Sequence, residues 1–381
     1  MRIALATSSY APYVGGVEEH VRNVARVLRG RGHEVVVWTI DRDGGFGIRR
    51  LDGIEVWDMP APLPARSITA LARLAFALPR AAWLWRKAFR SFRPEVIHVH
   101  CFGPNGTYAR VLSGRTRTPF VLTAHGETLA DDEGVFVSSR FAQDSLRRAL
   151  ADADAITGCS RVALDDLVDR FGLAPDRGEV VFNGIDMDEP AGDLPSGVSG
   201  RYIAAVARAQ RLKGFDLLID AFARADLAPE MRLVIGGGGP EVERLREQAA
   251  RLGVADRVVL TGWLDRPTVV ALRRAAEIGV VPSRFEAFGI AALEVWRAGS
   301  ALVATTRGGP PEFVSDGVDG VLVDPEDVTE LARVLSALVA DPAGSARLAA
   351  AGRRRAETFT WEATTDAYER IYRDVSGYAG A

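Results

Sequence analysis

Two doubly wound α/β domains in tandem are what this sequence predicts, and three observations carry the prediction. Short β-branched and aliphatic runs alternate with longer amphipathic segments from the first residue onward, the pattern of parallel strands covered by helices on both faces. The 381 residues exceed the size at which a single core usually stops growing. The alternation is interrupted at 186–200 (DMDEPAGDLPSGVSG), where three Gly, two Pro and four acids show no apolar period.

In the first half, strands are expected near 2–7, 34–40, 95–100, 119–124, 154–158 and 179–182. The segment 17–31 (VEEHVRNVARVLRGR) reads as a helix, because Val17, Val21, Val24 and Leu28 recur at three- and four-residue spacings on one face. In the second half, strands are expected near 201–207, 231–236, 257–261, 278–281, 301–304 and 320–323, and helix-forming sequence fills 326 to the end. The expected organisation is therefore a Rossmann-like domain over 1–185, a connection over 186–200 and a second Rossmann-like domain over 201–359. Ligands of such domains bind at the carboxyl ends of the strands, so a central cleft between the two is the expected site.

Composition excludes several classes. With 48% apolar and 25% charged residues the chain is ordinary globular material, and a formal charge of −3 speaks against a general nucleic-acid binder. Cys101 and Cys159 lack the spacing of a disulfide framework or a zinc site. No run approaches the length of a membrane span, and the start MRIALAT carries no signal-peptide pattern, so the expected location is cytoplasmic. Neither GxxxxGK[ST] nor GxSxG occurs, which removes support for nucleotide hydrolysis and serine esterase chemistry.

The strongest motif is PSRFEAFGIAALEVWRAG at 282–299. A strand ends at Val281, a loop carries Glu286, and Phe288-Gly289 opens a helix bearing Glu294. Free amides and a partial positive charge at that helix start suit phosphate or sugar hydroxyls, and the two carboxylates can each grip a polyol. Taken alone, the pair is equally a capping acid and a surface Glu. The second motif, VARAQRLKGFDLLIDAF at 206–222, delivers Arg208 and Lys213 at the end of a strand, where Arg offers a fork and Lys a point charge to phosphate. Only Lys87 and Lys213 are lysines in a chain with 47 basic residues, which singles out Lys213.

Gly15 and Gly16 in YAPYVGGVEEHV precede the first helix and leave room for close backbone approach. The dinucleotide spacing G-x-G-x-x-G fails there, and fails again at Gly236–Gly239, where Glu241 stands in the sixth position. His125 in LTAHGE follows a strand and lies at the expected rim, although a lone histidine is more often a hydrogen-bonded structural group. His98 and His100 share a strand face, but no third ligand at a metal-site spacing follows, and no metal is expected.

Taken in order, these segments resemble family 4 of the retaining GT-B glycosyltransferases, from the Gly15-Gly16 loop to Trp361. The resemblance rests on VGGVEEH, TAHGE, Asn183-Gly184-Ile185-Asp186, Arg208 with Lys213, and the E-x7-E pair Glu286 and Glu294. It implies transfer of a hexose or N-acetylhexosamine from a nucleotide diphosphate sugar to the hydroxyl of a small-molecule, lipid or glycan acceptor, with retention and by same-face displacement. Arg208 and Lys213 would hold the donor diphosphate, Glu294 the ribose, and Glu286 with the Phe288, Gly289 and Ile290 amides the transferred sugar. His125 would contact that sugar, and Gly15 and Gly16 would lie close to the donor.

By the same resemblance the first domain receives the acceptor, the second binds the nucleotide sugar, and a last helix, about 360–381, packs back on the first. No cofactor or metal is implied: the nucleotide sugar is a co-substrate, UDP-sugar favoured over GDP-sugar. A sugar-nucleotide epimerase of the same fold and a non-catalytic sugar-nucleotide binding module are the alternatives. Ala287, Ala291, Val295 and Trp296 depart from the family pattern and are expected to reshape the sugar pocket.

Residues 59–94 contain seven basic residues and no acid, with Arg66, Arg73, Arg80 and Lys87 at every seventh position among Phe76, Trp83 and Trp85. This segment is the expected peripheral contact with anionic lipid at the inner membrane face. Pro79 argues against one continuous helix there.

Overall fold

The computed structural model describes residues 1–13, 15–41, 45–64, 68–129 and 134–377. The chain divides into two compact units, Met1–Asn183 with Trp361–Ala381, and Gly184–Thr360.

In the first unit the order is β1 (Arg2–Thr7), α1 (Gly16–Gly30), β2 (Glu34–Ile40), β3 (Gly47–Leu51), β4 (Ile54–Met59), α2 (Ile68–Phe92), β5 (Val96–His100), α3 (Pro104–Thr116), β6 (Phe120–Ala124), α4 (Val135–Ser138), α5 (Arg140–Asp152), β7 (Ala155–Gly158), α6 (Arg161–Phe171) and β8 (Gly178–Val180). The eight strands lie in the order β3-β4-β2-β1-β5-β6-β7-β8, parallel except for the β3–β4 pair. β5 and β6 are buried along their whole length, which is why both lack the alternation of a half-exposed strand. Strand order reverses between β1 and β5, the switch point of this sheet.

Two features differ from expectation. β3 and β4 form an antiparallel hairpin at the sheet edge. Its turn is Asp52-Gly53, both with positive φ (52° and 75°), the backbone of a type I′ turn. The helix α2 corrects the expected break at Pro79, for it continues through that residue. Proline removes one helical N–H and frees the carbonyl of Ala75, and both residues are exposed, so the break falls on the solvent side of the helix. Arg66 lies outside the described residues.

The second unit runs β9 (Tyr202–Val206), α7 (Phe215–Arg224), β10 (Arg232–Gly236), α8 (Val242–Arg251), β11 (Val258–Leu260), α9 (Arg266–Ala275), β12 (Ile278–Val281), α10 (Ile290–Ala298), β13 (Ala301–Thr305), β14 (Val321–Val323), α11 (Val328–Ala340) and α12 (Pro342–Ala356). Its six parallel strands lie in the order β11-β10-β9-β12-β13-β14, so the switch point falls between β9 and β12. Residues 186–200 lie with this unit: Gly192 N donates to Pro267 O, and Val198 is buried beside Tyr202 and Leu272. The last helix, α13 (Trp361–Ser376), returns to the first unit and packs on α1. No described helix is long and apolar enough to cross a membrane.

Candidate active site

The second unit gathers its charged groups at the switch point. Arg208 follows the end of β9 and is exposed, while Lys213 closes a short turn before α7 and Glu286 lies in the loop after β12. Lys213 Nζ donates to Glu286 Oε2 at 2.8 Å, and Ser283 Oγ donates to the same oxygen at 2.9 Å. The two loops are fastened together. The Arg284 amide donates to Leu212 O, its guanidinium donates to Arg211 O, and its fork meets Asp216 at 2.7 and 2.8 Å. Gly214 permits the approach, since a Cβ there would lie 1.9 Å from Pro282 O.

Glu286 is held from the other side by the loop after β13. Its amide donates to Arg307 O and its carbonyl accepts from Gly309 N. Gly308, at φ 109°, lies so close that a Cβ would stand 2.0 Å from Glu286 O. The next residues, Phe288 and Gly289, are buried and lead into Ile290, where α10 begins with no side-chain cap. The sequence-predicted Lys213, Glu286, Phe288, Gly289 and Ile290 are therefore brought together around an uncapped helix start that carries partial positive charge. Ser283 and Arg284 stand inside the 282–299 motif without having been assigned a role, and the Gly308-Gly309 pair lies outside it and carried no signal.

Glu294 lies further along α10 and is buried in a cluster of charge. Its carboxylate pairs with Arg266 and, at 2.8 Å, with Arg273, while Glu189 pairs with Arg266 and Arg297. Burial pushes the Glu294 carboxyl up, but Arg273, Arg266 and Arg297 outweigh it and hold the group at about 2. Val295 packs where Gly279 leaves room, and Trp296 donates from Nε1 to Asp319 O and supports Phe288 through the Phe313 ring.

In the first unit, Gly15 is extended and Gly16 opens α1. A Cβ on Gly15 would stand 2.5 Å from Glu18 Oε2, the far end of a flexible side chain, so neither the space nor the backbone conformation demands glycine here. His125 follows β6 and is half-buried. Its amide donates to Glu127 Oε2 at 2.7 Å, while Glu127 Oε1 accepts from the Phe102 amide at 2.6 Å, so one carboxylate ties the loops after β5 and β6 together. The sequence showed Glu127 in the TAHGE motif without revealing this role.

His125 Nε2 lies 3.2 Å from His100 Nδ1, within a larger network. Asn183 Oδ1 accepts from His20 Nδ1 at 2.6 Å, leaving His20 Nε2 to accept from the Tyr368 hydroxyl at 3.0 Å. His98 bridges the Tyr372 hydroxyl and Thr123 Oγ1, each at 2.6 Å. Burial, outweighing the Asn183 hydrogen bond, pushes His20 down to about 4. Burial and neighbouring histidines hold His98, His100 and His125 well below the usual imidazole value. The fold thus supplies partners for His100 that spacing did not reveal: ring nitrogens of His20, His100 and His125 all lie within 4.8 Å of one another. Donor atoms around a tetrahedral zinc stand roughly 3.3 Å apart, and both nitrogens of His20 have partners, so the trio suits a hydrogen-bonded network better than a cation.

Known proteins match this chain along nearly its full length. The family Glycosyltransferase Family 4 matches residues 14–189, and Glycosyl transferases group 1 matches residues 191–355. The chain is 32% identical to the D-inositol 3-phosphate glycosyltransferase of Acidothermus cellulolyticus, covering 95% of this chain and 86% of the relative. It is 29% identical to the glycogen synthase of Mycobacterium tuberculosis, covering 98% and 94%. Among solved structures, a sucrose-phosphate synthase from Thermosynechococcus elongatus shares the fold with a TM-score of 0.78 at 22% identity, covering 98% and 99%. Anabaena HepE, in complex with UDP, shares it with a TM-score of 0.76 at 22% identity, covering 98% and 100%. With this fold, and with relatedness along nearly its full length, the chain belongs to the group 1, family 4 glycosyltransferases.

Proposed function

We propose that this glycosyltransferase moves a hexose or N-acetylhexosamine from a nucleotide diphosphate sugar, UDP-sugar favoured over GDP-sugar, to an acceptor hydroxyl with retention of configuration. The observation that carries the reading is the Lys213–Glu286 pair beside the uncapped start of α10 at the second unit's switch point. A cation, a carboxylate and the positive end of a helix side by side suit a ligand that is at once an anion and a polyol. HepE, a neighbour in fold, was solved with UDP, with UDP and glucose, and with UDP-glucose, which supports the choice of base.

In this reading Lys213 and Arg208 hold the diphosphate, and Glu286 with the Phe288, Gly289 and Ile290 amides holds the sugar hydroxyls. Glu294 takes the ribose. The first unit receives the acceptor, with His125 at the transferred sugar and Gly15-Gly16 admitting close backbone approach. As the bond from the anomeric carbon to the leaving phosphate oxygen breaks, the acceptor oxygen bonds that carbon from the same face, and its proton passes to the leaving phosphate. Lys213 and Arg208 neutralise the diphosphate charge, each preorganised cation contributing on the order of 3 kcal/mol. No protein base or metal is needed.

The test is thermal stabilisation against UDP-, GDP-, ADP- and dTDP-sugars and the free nucleotides, because a ligand of the native state raises the midpoint. UDP and a UDP-sugar are expected to give the largest rise. A rise with another nucleotide alone would reassign the donor, and no rise across the panel would overturn the donor-site reading.

A further inference from the structure

The helix α2 presents two unlike sides. Ala81, Leu84, Trp85 and Ala88 are buried in the first unit's core, and Trp85 Nε1 donates to Pro60 O. The opposite side carries Phe76, Arg80, Trp83, Lys87 and Arg90, spaced by four, three, four and three residues and therefore aligned in one stripe about 21 Å long. All five are exposed. Phe76 is 87% exposed and Trp83 59%, so two large rings stand uncovered among the described residues.

The charge of the stripe has one sign. No acid occurs between Asp58 and Glu95, and Lys87 Nζ lies 5.4 Å from the Trp83 ring centroid, placing cation and aromatic at the same height on the surface. Towards the start of the helix, Ala72, Ala75, Ala77 and Leu78 are exposed as well, so that end is apolar on nearly every side. Helical sequence of that kind is ordinarily covered. A second copy of the chain is a poor cover, because apposed stripes would set cation against cation.

We propose that this stripe docks on an anionic phospholipid bilayer. α2 lies along the headgroup plane, Phe76 and Trp83 enter it, and Arg80, Lys87 and Arg90 meet lipid phosphates. The inference stands independently of the donor-site reading, since none of these residues takes part in it.

Flotation of the full chain with vesicles tests the proposal. It is expected to float with vesicles of equimolar phosphatidylcholine and phosphatidylglycerol, to stay behind with phosphatidylcholine alone, and to be released by salt. Each cation removed is expected to weaken binding about five-fold, so Arg80→Ser, Lys87→Ser and Arg90→Ser together weaken it on the order of a hundred-fold. Phe76→Ser with Trp83→Ser is expected to abolish flotation while leaving the thermal midpoint unchanged, because both side chains are exposed. Equal flotation of wild type and either variant, or equal binding to neutral vesicles, would overturn the proposal. So would absence of vesicle binding together with a dimer that the aromatic variant dissolves in sedimentation experiments.

Discussion

Lys213 and Glu294 were both legible in the sequence as candidates for the donor, yet their surroundings give them different burdens. Lys213 is half-buried and meets one carboxylate, whereas Glu294 is buried and neutralises Arg266 and Arg273 as it would grip a ribose. Removing one member of a buried ionic cluster leaves the others uncompensated, so Glu294→Gln is expected to destabilise the second unit by about 3–5 kcal/mol, measured by chemical denaturation. A change under about 1 kcal/mol would show that the cluster is not structural. Because the carboxyl sits at about 2, below its ordinary 4.5, its contribution is fully present above pH 4.5 and is lost as pH falls towards 2. Arg266, Arg273 and Glu189 could not be read from the sequence as one cluster, because they come from α9 and from the segment before β9 and meet only in the folded unit.

At the scale of elements, α1, β5 and α13 carry the first unit's polar core: His98 meets Tyr372, and His20 meets Tyr368. Four histidines held neutral have folded-state values below their ordinary 6.5, so the unfolded chain takes up protons first as pH falls. Their contribution is fully present above pH 6.5 and declines below it, for His20 down to about pH 4, with each histidine costing about 1.4 kcal/mol per pH unit. Thermal unfolding followed from pH 7 to pH 5 is expected to show the first unit losing stability. A flat profile would contradict neutral histidines in this core. The strand and helix alternation was legible because buried strands are continuous apolar runs. The β3–β4 hairpin was not, because Arg49 and Arg50 break the run, although Asp52-Gly53 between IRRL and IEVW was its signal. Pro79 misled in the other direction, since α2 continues through it despite the lost hydrogen bond.

For the molecule as a whole, the doubly wound pattern and the order of motifs were enough to indicate two parallel-sheet units. In the second unit the motif loops after β9 and β12 are laid at the switch point by strand order, which no local spacing encodes. Lys213, Glu286 and the α10 start could be singled out as candidates in the sequence because they lie in the loops that follow strand ends. Arg284 and Gly308, which join loops distant in the chain, could not. The central claim is that the second unit's switch point binds a nucleoside diphosphate. Calorimetric titration of the full chain with UDP, wild type against Lys213→Ala, tests it most directly. The wild type is expected to bind, and the variant, folded to the same midpoint, to bind about ten- to a hundred-fold more weakly, as loss of one charge-assisted contact requires. Equal affinity in the two proteins would contradict the claim.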